Sequence, residues 1–130
     1  MEKIMERKIL IVGANLVEKD GKYLLVQEAK EYVRGKWNFP AGKMDFGEKI
    51  TQTAVRECKE ETGFDVELEY LIGIFKHSDI RENVQYDVMP FVFKSNIIDG
   101  KLKSQENELL DVKWFTKDEI EDLFKNDKLR

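Results

Sequence analysis

Several things are scarce in this chain, and each scarcity excludes something. One cysteine among 130 residues rules out an internal disulfide and fits a reducing compartment. The expected location is therefore cytoplasmic. A single histidine, His77, has no second His or Cys partner close by, so a zinc site is not expected. No run of eighteen apolar residues is present, which excludes a membrane-spanning helix. The segment Met1 to Lys8 is charged and lacks the apolar centre of a secretory signal. No cluster of Lys and Arg stands out and the net charge is −4, so no nucleic-acid-binding surface is expected.

What remains is an ordinary globular composition, 42% hydrophobic and 37% charged. A chain of 130 residues can build one domain with a proper core but not two. The expectation is one domain over 1–130.

The densest signal lies between Gly42 and Phe64. Glu57, Glu60 and Glu61 recur at spacings of three and four, which puts them on one face of a helix. The segment Lys49 to Thr62 contains no Gly or Pro, and Gly63 stands where a C-cap glycine would stand. Ile50, Ala54, Val55 and Cys58 form the opposite, apolar face. Three carboxylates on one face repel each other unless something neutralises them. Clustered oxygen donors of this kind suit a hard divalent cation, Mg²⁺ or Mn²⁺. A phosphorylated substrate would be repelled by the same charges unless metal came between them.

The whole stretch resembles the Nudix box, G-x5-E-x7-R-E-U-x-E-E-x-G-U, where U is a bulky apolar residue. Gly42, Glu48, Arg56, Glu57, Glu60, Glu61, Gly63 and Phe64 match it. Cys58 takes the first U position, a mild departure because a buried cysteine packs as a small hydrophobe. The Gly and polar positions would match by chance at roughly 10⁻⁶ over the chain. The resemblance implies an α/β fold, a mixed β-sheet sandwiched between α-helices. It implies Mg²⁺-dependent hydrolysis of a nucleoside diphosphate linked to a further moiety, by attack of water at phosphorus. In that reading Glu57, Glu60 and Glu61 hold metal, with the carbonyl of Gly42. Glu48 either binds a second metal or favours the helix N-terminus electrostatically. Arg56 orients a carboxylate by an ion pair. The general base is Glu108, with Glu106 and Glu60 as alternatives.

The flanking elements are read in order. Lys8 to Val17 is a strand, Asp20-Gly21 a hairpin turn, and Lys22 to Gln27 the return strand. Glu28 to Lys36 is a loop. Arg34 and Lys36 are candidates for phosphate contacts, or plain surface cations. Trp37 either stacks a base or packs in the core. Val66 to Lys76 is a strand bent at Gly73, and His77 to Asn83 a polar loop. Gln85 to Lys94 is a strand in which Pro90 implies an edge or a bulge. Asn96 to Asn107 is a loop or hairpin, and Leu109 to Phe115 a strand. Thr116 opens a capping box to a helix with Ile120, Leu123 and Phe124 on one face, and Lys125 to Arg130 fray.

Partners follow from the resemblance: a small nucleotide-type diphosphate, with the protein a monomer or homodimer. Two other functions compete with hydrolysis. A non-catalytic nucleotide-binding module commonly lacks a box glutamate, and none is missing here. A diphosphate isomerase needs a suitable catalytic cysteine, and Cys58 lies on the apolar helix face.

Overall fold

A computed structural model of the chain describes residues 3, 6–103 and 109–130. The elements run β1 (Glu6–Lys19), β2 (Lys22–Glu28), β3 (Trp37–Asn38), β4 (Ala41–Lys43), α1 (Ile50–Thr62), β5 (Phe64–Ile74), β6 (His77–Arg81), β7 (Val84–Gly100), β8 (Leu109–Thr116) and α2 (Lys117–Lys125). The architecture is a mixed sheet with two helices. Its order is β3-β2-β1-β7-β5, with β4 on β1, β6 on β7 and β8 on β2. β1 runs parallel to β7 from Glu6↔Val84 to Val17↔Ser95. The other pairings are antiparallel.

The β1–β2 turn is Asp20-Gly21, both at positive φ (52° and 76°), as the hairpin signal requires. Leu24 and Val26 of β2, Val17 of β1 and Val66 of β5 meet Cys58 of α1, with Leu109 and Val112 of β8 closing the core. Each such side chain contributes about 1.5–3 kcal/mol by leaving water. Burial also pushes the Cys58 thiol up to about 11, so it packs rather than reacts.

α1 must lie close to β1 for this core to form. Gly13 permits the approach, because a Cβ there would sit 2.8 Å from the backbone nitrogen of Ala54. Asn15, two residues on and fully buried, ties three elements together. Its Nδ2 donates to the carbonyls of Pro40 (3.2 Å) and Ala54 (2.8 Å), and its Oδ1 accepts from the Ser95 hydroxyl at 2.9 Å. The Asn15 backbone N–H also donates to Pro40 O at 2.9 Å. The segment entering β4 is thereby held against α1.

The structure corrects several expectations. His77 to Asn83 is not a loop: β6 pairs with β7, and the turn is Glu82-Asn83, both at positive φ. Glu82 carries no turn signal, which hid the hairpin. β7 continues through Asn96 to Gly100, paired with β5 as far as Phe64↔Gly100. Pro90 sits inside the sheet rather than at an edge. Its carbonyl accepts from Phe75 N at 3.0 Å, at the junction where β5 gives way to β6. N–H and C=O of one strand residue point the same way, so the missing N–H of proline faces this break in the ladder. The segment between β2 and β3 contains a 3₁₀ turn, Glu31–Val33, and Glu28 is the last, buried residue of β2. The capping box at Thr116 and Glu119 forms as expected, but Phe124 is exposed rather than packed. Residues 128–130 do not fray. Trp37 N donates to Lys128 O (2.7 Å) and Arg130 N to Trp37 O (2.9 Å).

Asn15→Ala leaves the Ser95 hydroxyl and two carbonyls short of a buried partner. It is expected to lower the unfolding free energy by about 2–3 kcal/mol. Urea unfolding followed by circular dichroism checks this, and an unchanged midpoint contradicts it.

Candidate active site

α1 begins after Lys49, whose N–H is accepted by Gln52 Oε1 at 2.8 Å, and ends at Gly63 in the left-handed conformation. Its apolar face is buried at Ala54 and Cys58. That orientation sends the glutamates toward β4 and solvent, to three different environments.

Glu57 lies against Gly42. A Cβ at position 42 would collide with the Glu57 carboxylate, so the site has room for hydrogen there and nothing more. Glu61 is partly buried and its Oε1 accepts the Ala41 N–H at 2.9 Å. Burial is the main cause that pushes its carboxyl up to about 8, and the charges of Glu57 and Glu28 add to it. Glu60 is exposed.

Arg56 joins these groups. Its Nη1 donates to Glu57 Oε1 (2.7 Å) and Glu60 Oε2 (3.2 Å), and its Nε to Glu48 Oε2 (2.7 Å). Its Nη2 donates to Glu48 Oε1 and to the Lys43 carbonyl, each at 3.1 Å, and pairs with Asp45 Oδ2 at 3.4 Å. The surrounding carboxylates raise its pKa further. Glu48 also accepts from Thr53 Oγ1 (2.7 Å) and Asp45 N (3.1 Å). Arg56, Thr53 and the Asp45 N–H together hold Glu48 at about 2, ionised throughout the working range. Glu48 therefore anchors the box loop to Arg56. The cap bond at the helix start is made by Gln52.

Among the described residues no three acidic or imidazole side chains converge to enclose an ion. The donor set still fits a hard divalent cation. Glu57 and Glu61 offer oxygen only, and Glu61 is a desolvated carboxyl that a neighbouring cation would return to its ionised form.

The three upstream candidates lie elsewhere. Trp37 is 8% exposed and packs edge-on to Phe115 with ring centroids 4.7 Å apart, so its ring belongs to the core. Arg34 Nη1 donates to the Ala29 carbonyl (3.0 Å), and Lys36 pairs with Asp127 (3.4 Å). Neither bonds a box residue in these contacts. Glu106 and Glu108 lie outside the described residues. Thr53, Asp45 and Asn15 join the site or its support without a sequence signal of their own. Thr53 and Asp45 stand inside the box at positions its pattern leaves open, and Asn15 lies in a strand with no local signal for a buried amide.

A model of the NUDIX domain matches residues 7–130. The chain belongs to the Nudix family. An ADP-ribose pyrophosphatase from Methanocaldococcus jannaschii is 32% identical over 71% of this chain and 53% of its own length. A human 8-oxo-dGDP phosphatase is 33% identical over 81% of this chain and 31% of its own. A solved Nudix hydrolase from Nitrosomonas europaea superposes with a TM-score of 0.78 at 33% identity, covering 95% of this chain and 81% of that one. The chain thus spans about a third to a half of these two curated relatives. No helix of the described residues is long and apolar enough to cross a membrane.

Glu61 links the Nudix site to stability. Its folded-state value lies above the ordinary 4.5, so the folded protein holds this proton more tightly than the unfolded chain does. The stability tied to it is present below about pH 4.5 and is lost as pH rises toward 8. Glu61→Gln is therefore expected to raise the Tm of metal-free protein at pH 8 by a few degrees, and much less at pH 4. Scanning calorimetry in chelator at both pH values tests this. An equal shift at both overturns it.

Proposed function

We propose that this Nudix protein is a metal-dependent pyrophosphohydrolase that cleaves a diphosphate linkage in a nucleotide derivative by attack of water at phosphorus. One observation carries the reading: Glu57 and Glu61 come to the β4 backbone as a poorly solvated set of oxygen donors, with Arg56 bonded to Glu48, Glu57 and Glu60. Glu57, Glu60 and Glu61, with the Gly42 carbonyl, are the residues that would hold Mg²⁺ or Mn²⁺. A bound divalent cation supplies charge neutralisation at the diphosphate and lowers the pKa of water.

The protein's own groups do the rest. Arg56 positions Glu57 and Glu60 and keeps Glu48 ionised. Glu108 is the proposed base that takes the proton from water, with Glu106 and Glu60 as alternatives. The relatives named for ADP-ribose and for 8-oxo-dGDP support a nucleoside diphosphate derivative as the substrate class. The free, buried Cys58 suits a reducing cytoplasm. The proposal treats residues 1–130 as one Nudix domain.

A nucleotide-binding module without catalysis is the second reading. The full set of box carboxylates favours the enzyme, because a binding module has no need of three glutamates around one arginine.

The first test is a product assay on a panel of nucleoside di- and triphosphates, 8-oxoguanine forms, ADP-ribose and dinucleotide polyphosphates, with Mg²⁺, Mn²⁺ or chelator. Glu57→Gln is expected to lower turnover about 100-fold or more with an unchanged far-UV spectrum. Near-normal activity in that variant removes the metal-site assignment. Glu108→Gln is expected to lower kcat about 100-fold with little change in the metal concentration giving half-maximal rate. A wild-type pH–rate profile in that variant moves the base to another carboxylate.

A further inference from the structure

β1 is far longer than the helix that covers it. Its 14 residues reach about 45 Å at the rise of a strand, whereas the 13 residues of α1 reach about 20 Å. α1 meets the sheet where Gly13 and Asn15 approach Ala54. The same face continues past the helix toward the start of β1. Register decides which residues lie on it. Gly13 and Asn15 point to α1, so Ile11, Ile9 and Arg7 share their side. In the parallel pairing these align with Met89, Asp87 and Gln85 of β7, and Gly13 aligns with Phe91. Phe91 pairs with Ile74 of β5, Phe93 with Leu71, and Gln85 with Ile80 of β6. The Ser78 hydroxyl donates to Asp87 Oδ1 at 2.7 Å, which fixes β6 on this side as well. Met44, two residues beyond Gly42, extends the face at the opposite edge, and its N–H donates to Ile11 O at 2.9 Å.

Among the described residues this face is apolar and uncovered. Ile9 is 69% exposed, Ile74 51%, Ile80 46%, Leu71 45% and Met44 38%. A large side chain offers on the order of 200 Å² when free, so these five present about 500 Å² of apolar surface, as much as the largest patch on an ordinary monomer. Half-buried Ile11, Met89 and Phe91 and the polar rim bring the face close to the roughly 800 Å² per partner of a stable dimer. The charged residues that register places on it are of both signs. Arg7 stands at one end, and Asp87 stands near the middle with Lys76 Nζ 3.7 Å away. A two-fold contact sets residue i against j and j against i, so a patch with both signs is complementary to itself. A nucleic acid or an anionic bilayer would need an unbroken basic surface, and Asp87 interrupts this one.

We propose that this sheet face, which β1, β7, β5 and β6 build beyond the reach of α1, is the contact through which two copies of the chain form a two-fold dimer. Ile9, Ile74 and Ile80 make its apolar centre. Met44 carries the border of the contact to the box loop that Arg56 anchors. The inference stands apart from the hydrolase reading, because it rests on the sheet and not on the box carboxylates.

Sedimentation velocity of the full chain across a dilution series tests this. The wild type is expected to have twice the monomer mass at about 50 µM and to dissociate on dilution. Ile9→Glu and Ile80→Glu each place an unpaired charge in the contact twice, and each is expected to weaken the dimer about 30-fold or more. Phe124→Glu alters an equally exposed apolar side chain on α2, away from this face, and is expected to change the dimer less than about 2-fold. A wild type that stays monomeric at about 50 µM overturns the proposal. A dimer that both isoleucine variants leave intact, or that Phe124→Glu weakens as much, also overturns it. Ile9 and Ile80 are exposed in the single chain, so their replacement does not open the core. If far-UV circular dichroism shows that a glutamate disturbs the strand, Ile9→Thr and Ile80→Thr keep a β-branched residue there and are expected to weaken the dimer about 5-fold. No weakening in the threonine pair counts against the contact in the same way.

Discussion

The guanidinium of Arg56 is the contact on which the rest of the site depends. Glutamates crowded onto one short helix and its leading loop repel each other, and a helix with that face would be poor without a cation inside the cluster. Arg56 bonds Glu48, Glu57 and Glu60 and also caps the Lys43 carbonyl, so one planar group joins the loop, the strand and the helix. Its fork geometry matters here. A lysine would supply the charge but could not address several acceptors in fixed directions.

Around that hub the backbone is brought unusually close. Gly13 and Gly42 stand opposite each other in the β1–β4 pairing, and each faces α1 where a methyl group would collide. Buried Asn15 then bonds to both the Pro40 and the Ala54 carbonyls. Sheet, loop and helix are therefore locked at a separation set by hydrogen atoms rather than side chains. This is the precision that a preorganised oxygen site requires.

Glu61 shows the tension that results. A carboxyl held in a poorly solvated place, with like charges near it, destabilises the metal-free fold at neutral pH. A residue of the same shape without the charge would serve the core better. Its presence is intelligible if the stability it forgoes is returned when a cation binds.

What was legible in the sequence was local. The box, α1, its glycine cap, the Asp20-Gly21 turn and the Thr116 cap depend on spacings of one to seven residues, and these physical periods hold wherever the chain folds. The family follows from the same short pattern. Contacts between residues far apart were decided by tertiary structure alone. Trp37 went to the core because residues 128–130 and Phe115 close over it. The β6–β7 hairpin formed through a turn with two non-glycine residues at positive φ, Glu82 and Asn83, which sheet pairing stabilises and the Glu82 position does not announce. Glu28 and Arg130 meet across 102 residues. Nothing in either neighbourhood of sequence predicts the other, because the energy that joins them belongs to the packing of β2 against α1 and of the final residues against β3.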